Sequence, residues 1–145
     1  MWSNCLFVAL GGGLGAVGRY LLSLIAAPWS FPVMTLLTNF LGAVVIGAVA
    51  QAAGQLPMSK SAVLFLKTGL CGGFTTFSTF SLETVELLEQ GRWAAGGGYI
   101  LASVGLCLAG VLLGPGGGAL SQGVYVALGL VGLPIFTAGG GFGYV

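Results

Sequence analysis

The sequence predicts an all-α membrane protein of four transmembrane helices, the third of them broken at Gly72–Thr79, and three observations lead there. Of 145 residues, 57% are hydrophobic and only 5% are charged, whereas a soluble domain carries charge at about a quarter of its positions. These few charges cannot cover a water-facing surface. Glycine supplies 28 of the residues, a composition that lets helix backbones touch in lipid, where no hydrophobic force drives helices together. Four predominantly apolar runs are each long enough, at about 1.5 Å per residue, to cross a hydrocarbon core of about 30 Å.

The first run extends roughly from Cys5 to Ala27 and is closed by Pro28 and the turn-like Trp29, Ser30 and Pro32. Its start, Met1 to Asn4, lacks the basic region of a secretory signal. The second runs from about Val33 to Ala53 and ends at Gly54, Gln55, Leu56 and Pro57. The third starts near Ser61 and reaches Leu88. In its middle Gly69, Gly72 and Gly73 precede Thr75, Thr76, Ser78 and Thr79, so it reads as two helical halves around an unwound stretch. The fourth covers about Ala94 to Leu113, closed by Gly114 and Pro115. Residues 1–115 thus form one four-span domain, and residues 116–145 a Gly-rich hydrophobic C-terminal extension. Ala119 to Ala138 is long enough to span but carries Gln122, Pro134 and several glycines, so the extension reads as an interfacial or loosely held tail in preference to a fifth span.

Charge placement bears on topology. Lys60 and Lys67 lie towards one side and Arg92 towards the other, which gives the positive-inside rule almost nothing to act on. A chain so balanced inserts both ways round. Two oppositely inserted copies can then pair about an axis in the membrane plane, as an antiparallel dual-topology dimer.

The same counts exclude much chemistry. With no His and carboxylates only at Glu83, Glu86 and Glu89, there is no zinc site of ordinary type and no Ser/His/Asp arrangement, so an enzyme is not expected. Clustered Lys and Arg for phosphate neutralisation are also missing, which excludes nucleic acid. Cys5, Cys71 and Cys107 lack metal-ligand spacing and read as small buried hydrophobes.

Polar groups inside a span are costly unless satisfied, so the few present point to function. Arg19 either faces an aqueous vestibule and draws in an anion, or pairs with backbone; Lys67 offers the same two readings, with the structural one preferred. Asn39, deep in the second span, is either interhelical glue or an amide donor to something crossing the membrane. The unwound Gly72–Ser81 stretch is tolerated at membrane depth only where it is buried or lines a cavity, and its freed carbonyls suit a hard cation such as Na⁺. Phe77 and Phe80, at i and i+3, present ring edges of positive potential that can flank an anion, or simply pack. Tyr99 and Ser103 share one face of the fourth span and, with Ser78, Thr79 and Ser81, suit a polar track, although hydroxyls commonly bond back to their own helix. Glu83, Glu86 and Glu89 recur at i+3 and read as a solvated helix end.

Four segments, Gly12-Gly-Leu-Gly15-Ala-Val-Gly-Arg19-Tyr20, Thr35-Leu-Leu-Thr-Asn39-Phe-Leu-Gly42, Gly72-Gly-Phe-Thr-Thr-Phe-Ser-Thr-Phe-Ser81, and Tyr99 with Ser103, resemble the Fluc/CrcB fluoride channels. The third segment is the most specific. The resemblance implies a four-span, dual-topology homodimer in the cell inner membrane, with two fluoride pores and a central structural Na⁺. It implies that Gly72 and Thr75 hold that Na⁺ by backbone carbonyls, two from each subunit, and that Asn39, Phe77, Phe80, Thr79, Tyr99 and Ser103 line the fluoride pore with Arg19 in the vestibule. Thr38 stands before Asn39 where the family usually has Val, and nothing carries over to residues 116–145. The function implied is passive efflux of F⁻. The alternative, a small four-span proton-coupled multidrug exporter, wants a carboxylate in the first span, which has none.

Overall fold

A computed structural model describes residues 2–25 and 30–130, with side chains placed up to Leu112. Among the described residues the chain is entirely helical. Helix α1 (Trp2–Ser23) is followed by α2 (Val33–Gln55), a short α3 (Lys60–Val63), a π-helical segment (Leu64–Cys71), the single turn α4 (Gly72–Phe74), α5 (Phe77–Glu89) and α6 (Trp93–Leu130). By length and composition, α1, α2 and the Trp93–Leu112 part of α6 are each able to cross a membrane unaided. Between α2 and α6 the chain forms α3, the π-helical segment, α4 and α5.

Small residues set how closely these helices approach. Gly11 and Gly15 of α1 face Gly69 and Gly73 on the third span, both pairs separated by three residues. A methyl group on Gly69 would sit 2.9 Å from Gly11 Cα, and one on Gly15 would strike the backbone at Leu70 and Phe74. The α1 crossing is therefore a backbone-to-backbone contact that no larger side chain permits. On the other side α2 packs along α6, with Gly47 against the Val111 backbone and Gly110 against Ala43 and Val44. Between them a small core gathers Phe31, Leu36, Phe80, Leu87 and the fully buried Tyr99. Large apolar side chains such as Leu14, Leu21, Leu82 and Leu101 face outward, as befits a surface solvated by lipid.

Two expectations need correction. The break in the third span is far narrower than Gly72–Thr79: Gly72–Phe74 and Phe77–Thr79 are helical, and only Thr75 (φ −78°, ψ 155°) and Thr76 (φ −146°, ψ 111°) are extended. Gly69 and Gly73 lie ahead of the break because they serve the α1 contact, not the unwinding, whereas Gly72 has open space beside it. Gly114 and Pro115 do not end the last helix, because α6 continues to Leu130. The part of the C-terminal extension beyond Leu130, including the end of the Ala119–Ala138 run, lies outside the described residues.

Candidate functional site: the break in the third span

Unwinding two residues at membrane depth strands their backbone groups, and the chain answers with one side chain. Asn39 of α2 donates from Nδ2 to the Thr76 carbonyl at 3.0 Å, and its Oδ1 accepts the Thr76 N–H at 2.7 Å. Since a backbone N–H only donates and a carbonyl only accepts, these two bonds fix the orientation of the amide. The Thr76 hydroxyl then caps α5 by accepting the Thr79 N–H at 3.2 Å, and it donates to Thr79 Oγ1 at 2.9 Å. Every polar group of Thr76, itself 9% exposed, is satisfied. Asn39 is thus interhelical glue, and its second Nδ2 hydrogen is not used by these bonds.

The consequence on the other side of the break is a freed acceptor. In an unbroken helix the Thr76 N–H would bond the Gly72 carbonyl; here it is turned to Asn39. Gly72 is exposed, and a methyl built on it would meet nothing within 4 Å. Thr75 doubles back on the preceding turn, its N–H and Oγ1 both reaching the Cys71 carbonyl at 3.0 Å and 2.9 Å. Its own carbonyl leaves the helical direction because ψ is extended. Gly42 of α2 is the surface against which the Thr75 methyl rests.

Two cavities meet at the break. An open one of about 340 Å³ is lined by Asn39, Gly72, Thr75, Thr76, Phe77, Phe80 and Ser103, with Cys71, Cys107 and aliphatic side chains completing it. The Ser103 hydroxyl, on a residue only 5% exposed, is the one buried side-chain polar atom without a partner among the described residues. Phe80 is buried while Phe77 is 78% exposed, their rings 5.5 Å apart and tilted by 45°. The second cavity, about 60 Å³, lies among Arg19, Ser23, Met34, Thr35, Thr38, Thr76 and Thr79. Arg19 reaches the Gly73 carbonyl through Nε at a long 3.4 Å, so it pairs with backbone at the negative end of α4 while also lining this cavity.

The expected site residues are therefore divided. Asn39, Phe77, Phe80 and Ser103 share the larger cavity with Gly72 and Thr75, whereas Thr79 shares the smaller one with Arg19. Tyr99 lines neither: fully buried, it stacks between Phe31 and Phe80 and donates to Glu83 Oε2 at 2.7 Å. These contacts tie it to Phe80 and Glu83. Lys67 is exposed.

One residue read as part of a solvated helix end is tied to other helices by its carboxylate, though it lines neither cavity at the break. Glu83, half-buried, accepts from Tyr99 and also from Thr35 Oγ1 at 2.8 Å, while Glu86 and Glu89 are exposed. The available signal was its spacing, since Glu83 lies one turn after Thr79 on the face that Thr76 caps.

The CrcB-like protein, Camphor Resistance (CrcB), family matches residues 6–115, and a second family, BioY, matches residues 97–145. The chain is 48% identical over 117 residues to the fluoride-specific ion channel FluC of Roseiflexus sp. (strain RS-1), covering 78% of this chain and 94% of that protein. It is 44% identical over 119 residues to the FluC of Gluconobacter oxydans (strain 621H), covering 78% and 83%. With the FluC of Ruminiclostridium cellulolyticum it shares 45% over 115 residues, covering 77% and 88%. The chain belongs to the CrcB family and is a multi-pass protein of the cell membrane.

Proposed function

We propose that this chain is a fluoride-specific ion channel, a transporter rather than an enzyme, that lowers cytoplasmic fluoride by passive efflux of F⁻. The observation that carries the reading is the Thr75–Thr76 break, held open by the paired Asn39–Thr76 hydrogen bonds beside a cavity with an unpartnered Ser103 hydroxyl. Fluoride is small and strongly hydrated, so a pore must replace its water with donors. The second Asn39 N–H and the Ser103 O–H are such donors, and the Phe77 and Phe80 ring edges add positive potential without a proton to lose. The break also turns the N-terminal end of α5, with its positive partial charge, towards this region. Arg19 and Thr79 in the smaller cavity suit an entry that concentrates anions.

The site works as a pair of chains in this reading. A homodimer of inverted copies would cover the largely exposed Phe77 ring and the open side of the larger cavity, and the near balance of Lys60 and Lys67 against Arg92 supports insertion both ways. A structural Na⁺ fits the donor set. Gly72 offers a carbonyl released by Thr76, Thr75 offers one turned out of the helix, and both are hard oxygen ligands. Two chains would supply four. Such a cation would satisfy carbonyls that are otherwise expensive in lipid and would favour anions nearby. The fluoride proposal is tested with proteoliposomes loaded with fluoride and, separately, chloride: fluoride release on adding a K⁺ ionophore, with chloride retained, is expected. Equal release of both ions, or of neither, would refute it.

A further inference from the structure

The described length of α6 does not fit a single crossing. Its 38 residues amount to about 57 Å at ~1.5 Å per residue, against about 40–45 Å for a whole bilayer with headgroups. Its level is set by α2, which runs parallel to it: Phe31, just ahead of α2, contacts Tyr99, and Gly47 lies against Val111. Gly47 is eight residues before α2 ends at Gln55, so the end of α2 is level with about Ala119 of α6. The helix nevertheless continues to Leu130, through Ala119-Leu-Ser-Gln-Gly-Val-Tyr-Val-Ala-Leu-Gly-Leu130, without a charged residue. Arg92 is in fact the last charge in the chain. Standing upright in water this stretch would expose a run of apolar side chains with nothing to solvate them.

We propose that the chain from Ala119 to Leu130 is lipid-embedded, the bilayer being its partner, and that α6, unbroken to Leu130, kinks at Pro115–Gly118 so that this end lies along the membrane. Pro115 cannot donate to the Val111 carbonyl, and the three glycines after it weaken the helix further. The CrcB match ends at residue 115, whereas the BioY match continues through this stretch, so the extension carries a sequence pattern of its own. A membrane segment appended to the four-span unit is the consequence, independent of what that unit conducts.

The test uses the full chain in proteoliposomes, with Leu128→Cys and, as a reference, Ser59→Cys in the α2–α3 loop. Reaction with a membrane-impermeant maleimide, in permeabilised vesicles so that both faces are reached, is read peptide by peptide by mass spectrometry. Because the reactive thiolate is excluded from hydrocarbon, labelling at residue 128 should be slower than at residue 59 by about tenfold or more. A carbene-generating lipid should in turn tag residues 119–130 of the unsubstituted chain. Comparable labelling at both positions overturns the proposal, and so does protection at residue 128 without lipid tagging, which would place the stretch against protein.

Discussion

Replacing Asn39 by Leu keeps nearly the same volume and removes both hydrogen bonds to Thr76. If the freed N–H and carbonyl found other partners, the loss would be about 0.6 kcal/mol per bond, the average for interhelical bonds in membranes. If they did not, each stranded backbone group would cost about 1–3 kcal/mol, or about 2–6 kcal/mol for the pair. Burial decides between these. Thr76 is 9% exposed, and its hydroxyl is already committed to the Thr79 N–H and Oγ1, so neither water nor its own side chain is available. The larger figure applies, a substantial part of a stability of about 5–15 kcal/mol. Asn39→Asp retains the acceptor for the Thr76 N–H and loses only the donor, so about half that loss is expected, together with a fixed charge that repels fluoride. Thermal unfolding in detergent should rank wild type above Asp above Leu, and hydrogen exchange at the Thr76 amide should accelerate in the Leu variant. Wild-type stability and slow Thr76 exchange in Asn39→Leu would falsify the claim that this side chain holds the break.

Three further outcomes follow from the contacts. Phe77→Ile and Phe80→Ile should each abolish fluoride flux by removing the positive ring edge, and Phe80→Ile should lose about 0.5–1.5 kcal/mol of aromatic contact with Tyr99. Wild-type flux in both would reduce the rings to packing. Gly15→Ala drives a methyl group into the backbone at Leu70 and Phe74, and overpacking of about 1–3 kcal/mol should lower the melting temperature; an unchanged one would mean that α1 is not held where described. Tyr99→Phe removes a hydrogen bond to a carboxylate, worth about 1.5–3 kcal/mol, with the lower end expected because Glu83 is half-buried and keeps Thr35. A melting temperature equal to wild type would show that the Tyr99–Glu83 bond contributes nothing.

What could be read from the chain and what could not divides along local and tertiary causes. The spans were legible because a charge at 5% of positions and long, predominantly apolar runs leave few alternatives. A discontinuity in the third span was legible in its glycines and threonines, but its position was not. Gly69 and Gly73 supply the bare backbone that α1 packs on, and the unwinding falls at Thr75–Thr76 because Asn39, 37 positions earlier, captures the Thr76 backbone. No local propensity contains that bond. Glu83 was hidden among three glutamates of equal spacing, and only the arrival of Thr35 and Tyr99 from two other helices singles it out. The π-helical turn at Leu64–Cys71 has no counterpart in the apolar pattern. Pro115 and Gly114 look like a helix end, yet α6 passes through them.

The central claim, that this chain is a passive and selective fluoride pore, is tested most directly by the reversal potential of currents across a bilayer containing the purified protein. Opposing fluoride and chloride gradients are imposed, and a Na⁺ gradient is then added. The account predicts reversal at the fluoride equilibrium potential, about 59 mV per tenfold gradient of a monovalent ion, unmoved by chloride or Na⁺. Reversal that follows chloride would contradict selectivity. A shift with the Na⁺ gradient would make Na⁺ a coupled substrate and contradict the channel itself.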